Sequence, residues 1–211
     1  YSVFPVKEWT REIEGTRLEQ FRERIEQLTE IFKGRTEERK RLKEYLLEGR
    51  GLFMIWGEPG IGKSALLAQV FREAKAGAAP EDAEGLGACI EYPPIIEYFI
   101  RRSYDSAKEE FFFRHLSRRL DEIYSLKGFP IGSSVDEQRE NLQRRLDAVS
   151  QLEEPRRCVI FVDGLDENPH MARSIPDARQ WLTVITSSRP VKELSRWWAD
   201  RYKDGHKEEL E

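Results

Sequence analysis

The sequence has only two cysteines and two methionines in 211 residues, no long apolar run and no excess of positive charge. Each shortage excludes a class of protein. Cys89 and Cys158 are too few for a disulfide framework, and Cys158 opens an apolar run of buried character, so a reducing, cytoplasmic setting is expected. Charges run through the first turns of sequence, from Lys7 and Glu8 to Glu30, which excludes a signal-peptide core. No stretch approaches the roughly 18 apolar residues of a membrane span. Lys plus Arg number 35 and Asp plus Glu 39, a net charge of −4. A protein that grips nucleic acid by charge shows a basic excess, so nucleic acid is not an expected partner. With 39% hydrophobic residues the chain can bury a core. It opens on Tyr1 rather than Met, which reads as a piece cut from a longer polypeptide.

Hydrophobic spacing organises the rest, and no internal repeat appears. Leu18, Phe21, Ile25, Leu28 and Phe32 form a seam of helical period on a charged segment from about Trp9 to Lys33. This predicts a helix within an N-terminal helical segment, residues 1–33, docked on the domain that follows, rather than a coiled-coil arm. Thr36 is placed to cap a second helix with Leu42, Tyr45 and Leu46 inside, basic residues outside, and Gly49 at its stop. Leu52 to Trp56 reads as a strand buried on both faces, and a helix follows from Gly62. Ala76 to Gly87 reads as a mobile loop, and Ile95 to Ile100 as a strand. Phe113 to Ile123 is helical. Ser134 and Glu137 form a capping-box pair ahead of a helix to about Leu152. Cys158–Val162 and Trp181–Thr186 are two more apolar strands, Pro190 opens a last helix, and Lys203 onward reads as frayed. Alternating strands and helices predict an α/β fold with a mainly parallel sheet, whose ligands bind at the carboxyl ends of the strands.

The residues that carry chemistry fall at those ends. Gly57-Glu58-Pro59-Gly60-Ile61-Gly62-Lys63-Ser64 fits G-x-x-x-x-G-K-S between a predicted strand and a predicted helix that continues through Ala65. The glycines let successive N–H groups face phosphate oxygens, and the helix adds its positive dipole end. Lys63 would neutralise the β- and γ-phosphates, and Ser64 would offer its hydroxyl to Mg²⁺. Asp163, at the end of an apolar strand expected to neighbour the glycine loop, is the candidate metal-side acid. Asp166 and Glu167 follow it closely enough to polarise an attacking water. Arg189, after Thr186-Ser187-Ser188, faces the same crevice and could sense the γ-phosphate. His115 and His170 have no metal-ligand partner at useful spacing, and Trp197 and Trp198 read as packing residues or part of a truncated interface.

Phe32-Lys33-Gly34-Arg35 before a short helix, then the glycine loop, Val162-Asp163-Gly164-Leu165-Asp166-Glu167 and Ser187-Ser188-Arg189-Pro190, together resemble the NACHT-type branch of the STAND NTPases from about Ile31 to Pro190. The Asp-Gly-x-Asp-Glu form of the acidic motif is the most specific element. The resemblance implies a P-loop NTPase three-layer sandwich over residues 34–211, with Gly34 and Arg35 near adenine and ribose. It implies ATP or ADP as ligand with Mg²⁺, and slow hydrolysis that times a switch. It also implies self-association of the full-length protein, with effector and sensor domains outside this chain, in immunity, antiviral defence or cell death. The core reads as truncated before the small helical and winged-helix domains into which the family continues. Its fifth core strand also reads as absent, which would leave Leu52–Trp56 at an open sheet edge.

Two other activities share the loop. A P-loop kinase would need an acceptor pocket and a lid of arginines, and the acids after Asp163 suit water better. A nucleic-acid-stimulated ATPase is at odds with the acidic balance.

Overall fold

The computed structural model describes residues 19–49, 51–77, 91–102, 105–201 and 206–210. The elements in chain order are α1 (19–29), α2 (Thr36–Glu48), β1 (Leu52–Trp56), α3 (Lys63–Lys75), β2 (Ile95–Phe99), α4 (Glu109–Tyr124), α5 (Val135–Ser150), β3 (Cys158–Asp163), β4 (Leu182–Ser188), α6 (Lys192–Arg201) and β5 (His206–Glu209). The strands form one sheet in the order β2-β3-β4-β1-β5, and every pairing is parallel. Every residue of β1, β3 and β4 is buried, as near-continuous apolar strands of a parallel sheet must be. The predicted α/β fold is the one observed.

Two topological expectations are corrected. β3 does not neighbour β1: β4 lies between them. The apolar runs of the three strands are too alike for local sequence to order them. β1 is not at an open edge either, because β5 pairs with it and Leu210 N–H donates to Trp56 O at 2.9 Å. His206-Lys207-Glu208-Glu209 is entirely polar, so nothing apolar marked it as a strand. The free hydrogen-bonding edge of β1 holds it, and the charged composition suits the rim of a sheet. Leu210, 5% exposed, anchors its end in the core.

Helix boundaries shift in ways that local chemistry explains. Within the described residues α1 ends at residue 29, short of Lys33. Thr36 is the first residue of α2 rather than its cap, and Arg35 takes the cap position in a left-handed conformation, φ 52°. The Arg35 guanidinium holds that geometry by donating to Glu38 Oε1 at 2.9 Å and to Ile61 O at 3.0 Å. Gly49 closes α2 as expected, its N–H on Tyr45 O. The Ser134–Glu137 capping box forms, and α5 stops at Ser150. α6 begins at Lys192, two residues past Pro190. Residues 78–87 of the predicted loop, Leu18 of the first helical seam, and Cys89 lie outside the described residues.

Lys43 corrects the expectation of a wholly basic outer face on α2. It is 1% exposed, and its Nζ lies 3.0 Å from Glu73 on α3. Arg39 and Gln69 donate to the same carboxylate at 2.5 and 2.7 Å. Burial pushes the Glu73 pKa up, but the hydrogen bonds from Gln69, Lys43 and Arg39 outweigh it and hold the pKa below the ordinary 4.5. The stabilisation is therefore fully present above pH 4.5 and is lost as pH falls through the lower folded value. Melting of the parent and Glu73→Gln should differ most near neutral pH, and the gap should close below pH 4.5. A gap independent of pH would contradict this assignment.

Arg145 joins α5 to α4. Its fully buried guanidinium forks onto both carboxylate oxygens of Asp121 at 2.8 and 3.0 Å and donates to Phe129, Pro130 and Asn141 carbonyls. Arg145→Ala would take its donor from the Asp121 carboxylate and from the Phe129 and Pro130 carbonyls. We expect a loss of about 3 kcal/mol, read as a drop of about 6–12 °C in melting temperature.

Candidate functional site

The register of the sheet brings the carboxyl ends of its strands level: Trp56 is opposite Ser188, and Phe99 is opposite Asp163. Between β1 and α3 the chain turns through Gly57 to Gly62. Gly62 occupies the cap position of α3 at φ 98°, where a side chain would be strained. A Cβ at Gly60 or Gly62 would meet nothing within 4 Å, so the turn is open at the start of a 13-residue helix, a position suited to anions. A cleft of about 590 Å³ lies over it, reaching from Pro59 and Gly60 to Asp163, Glu167 and Arg189.

Lys63 is 8% exposed and folds back over the loop, its Nζ donating to Gly57 O at 2.7 Å and Glu58 O at 3.0 Å. Burial lowers its pKa, while Asp166 and Asp163 pull it back up. Ser64 Oγ donates to Asp163 Oδ1 at 3.0 Å, and Ser187 Oγ donates to the same oxygen at 2.5 Å. α3 makes this possible across the intervening strand, because it packs on both β4 and β3. Burial pushes the Asp163 pKa up against the hydrogen bonds from Ser187 and Ser64. A divalent cation at the shared Ser64–Asp163 position would favour the ionised form. The hydroxyl and carboxylate, both oxygen donors, suit Mg²⁺, which is commonly held by one or two carboxylates together with phosphates. Among the described residues no cluster of three or more His, Cys, Asp or Glu is placed to hold a metal by itself.

Gly164 follows the acid at φ 80°, and a Cβ there would meet Ile100 O at 2.9 Å. Its N–H donates to Ser187 Oγ at 3.1 Å, which fixes β3 and β4 together at the cleft. Beyond it the two further acids differ. Asp166 has both oxygens engaged by Arg189, one by the backbone N–H at 3.0 Å and one by Nε at 3.0 Å. Its side chain is only 10% exposed. Glu167 is 34% exposed, and its carboxylate stands 3.9 Å from Arg189 Nη2.

The structure thus brings Lys63, Ser64, Asp163, Asp166, Glu167 and Arg189 to one cleft. Gly34 and Arg35 do not line this cleft; the Arg35 guanidinium donates to Ile61 O of the loop. His115 stacks edge-on with Phe21, and Trp197 and Trp198 pack against the core. Sequence reasoning missed Arg24 on α1, Arg101 and Arg102 after β2, and Ser187 as a partner of Asp163. Arg102 donates to the backbone oxygens of Glu167 and Asp166 at 2.7 and 3.4 Å. Only Ser187 carried a usable signal, through its place at the end of a strand. The arginines reach the cleft through long-range packing.

Comparison with known proteins gives one family: residues 31–185 match the AAA ATPase domain. No curated protein matches the chain. No helix among the described residues is long and apolar enough to cross a membrane.

Proposed function

Because the chain belongs to the AAA ATPase domain family, a family of P-loop NTPases, we propose that it is the nucleotide-binding core of a switch that hydrolyses ATP slowly. The observation that carries this is the Ser64–Asp163 contact at 3.0 Å, set at the mouth of a glycine loop whose lysine is already folded over it.

In this reading the amides of residues 60–64 and Lys63 bind the β- and γ-phosphates. Lys63 exchanges its two carbonyl partners for phosphate oxygens, at little cost in hydrogen bonds. Ser64 and Asp163 would hold Mg²⁺, which would supply charge neutralisation on the phosphates. Glu167 orients the attacking water, because its carboxylate is the looser and more open of the two acids. Asp166 positions Arg189, which would reach the γ-phosphate and register its loss. Arg35 contacts the loop at Ile61 O, which supports Gly34 and Arg35 as the residues that would border ribose and adenine.

The finer reading rests on the resemblance of the Asp-Gly-x-Asp-Glu motif to NACHT-type STAND proteins. There, exchange of ADP for ATP would govern self-association of the whole protein and release of effector domains in immune, antiviral or cell-death signalling. The chain incubated with γ-labelled ATP and Mg²⁺ should release label slowly, and only as free phosphate. Label on any other acceptor would favour phosphoryl transfer instead.

A further inference from the structure

The nucleotide reading accounts for the acids of the cleft and for Arg189, but not for two guanidinium groups at its rim. Arg24 of α1 and Arg101, two residues past β2, both line the cleft. Neither side chain makes a hydrogen bond or ion pair among the described residues, whereas Arg102 and Arg189 are both engaged. Arg24 and Arg101 are close enough to repel one another, and Arg24 also feels the charge of Asp163. Burial first and Arg101 second lower the Arg24 pKa. Two partly buried cations close enough to repel one another, neither side chain hydrogen-bonded or ion-paired among the described residues and with Asp163 compensating only part of their charge, favour an added anion beside them.

Arg24 is held there by packing. On the same helix Phe21 and Ile25 are buried, with the Phe21 ring 5.6 Å from Tyr98 and from Phe99 of β2. Thr29 Oγ1 accepts from Arg72 of α3 at 3.1 Å. Leu28, one turn beyond Arg24, lines the cleft as well. α1 is thus clamped to β2 and α3 and presents Arg24 to the end of the cleft that holds Asp163 and Arg101.

We propose that Arg24 and Arg101 form a terminal-phosphate clamp, through which the N-terminal helix makes the cleft discriminate nucleoside triphosphate from diphosphate. The proposal rests on the nucleotide reading and adds to it: Lys63 and the loop amides grip what ATP and ADP share, and the arginine pair grips only what ATP has more. Arg24 is a specificity-determining residue supplied by a helix that lies before the matched family domain.

The test is calorimetry with Mg²⁺ and either a non-hydrolysable ATP analogue or ADP, on the parent chain, R24Q, R101Q and R24K. In R24Q and R101Q the analogue should bind about tenfold more weakly, with ADP changed by less than about twofold. R24K should recover part of the loss. A merely structural role for Arg24 would weaken both nucleotides alike, so an unchanged ratio of the two affinities overturns the proposal. If the parent binds neither nucleotide, the nucleotide reading itself fails, a result distinct from a parent that binds both with a ratio R24Q does not move. Melting curves of each variant identify any that fail to fold, and R101Q then decides in place of R24Q.

Discussion

Lys63→Ala is expected to remove detectable ATP and ADP binding, a loss of at least about a hundredfold, without unfolding the chain. The expectation follows from what Lys63 does in the structure. Its Nζ is held on two carbonyls of the loop, Gly57 and Glu58, so it is pre-positioned over the place where phosphate oxygens would lie. Truncation breaks no ion pair of Lys63 among the described residues, and Glu58, one of the two residues whose carbonyl loses its donor, is exposed to water. The cost therefore falls on binding. Calorimetry with Mg²⁺ and ATP decides it, alongside a melting curve to confirm the fold. Binding equal to that of the parent would refute the role of the loop.

The second large effect separates the two acids. Glu167→Gln is expected to slow hydrolysis by about 10²–10³ while ATP affinity stays within a few fold. Glutamine keeps the shape and loses the capacity to accept a proton from water. Asp166→Asn should act differently, because both Asp166 oxygens are committed to Arg189. Its loss should free Arg189 and reduce the difference in affinity between ATP and ADP, with a smaller fall in the chemical step. Single-turnover rates measured beside equilibrium binding distinguish the two outcomes. If Asp166→Asn proves the more damaging to turnover, the roles of the two acids must be exchanged.

Much of the fold could be read from local patterns, because its signals are local. Leu52–Trp56 and Cys158–Val162 are apolar runs bounded by glycine or polar residues, and a doubly covered parallel strand needs nothing else. The Ser134–Glu137 box is a short-range exchange of two hydrogen bonds, so it reads off four residues. The glycine loop is legible for the same reason: its glycines, lysine and serine act within one turn. What sequence could not reveal depends on partners distant in the chain. β5 is polar throughout and exists because β1 offers an unpaired edge. The order of β3, β4 and β1 depends on how α3 crosses the sheet. Arg24 is one of two arginines, with Arg22, on the charged helix α1, and only the packing of Phe21 against β2 brings it over the cleft. The buried Lys43 and Arg145 likewise look like surface charges until Glu73 and Asp121 arrive from neighbouring helices.

The most direct measurement is a crystal structure of this chain grown with a non-hydrolysable ATP analogue and Mn²⁺, whose anomalous scattering locates the ion. The account predicts one Mn²⁺ bound by Ser64 beside Asp163, with the triphosphate wrapped by residues 60–64 and Lys63 turned from Gly57 and Glu58 onto its oxygens. A metal and nucleotide bound elsewhere on the surface, with Lys63 still on the two carbonyls, would contradict it.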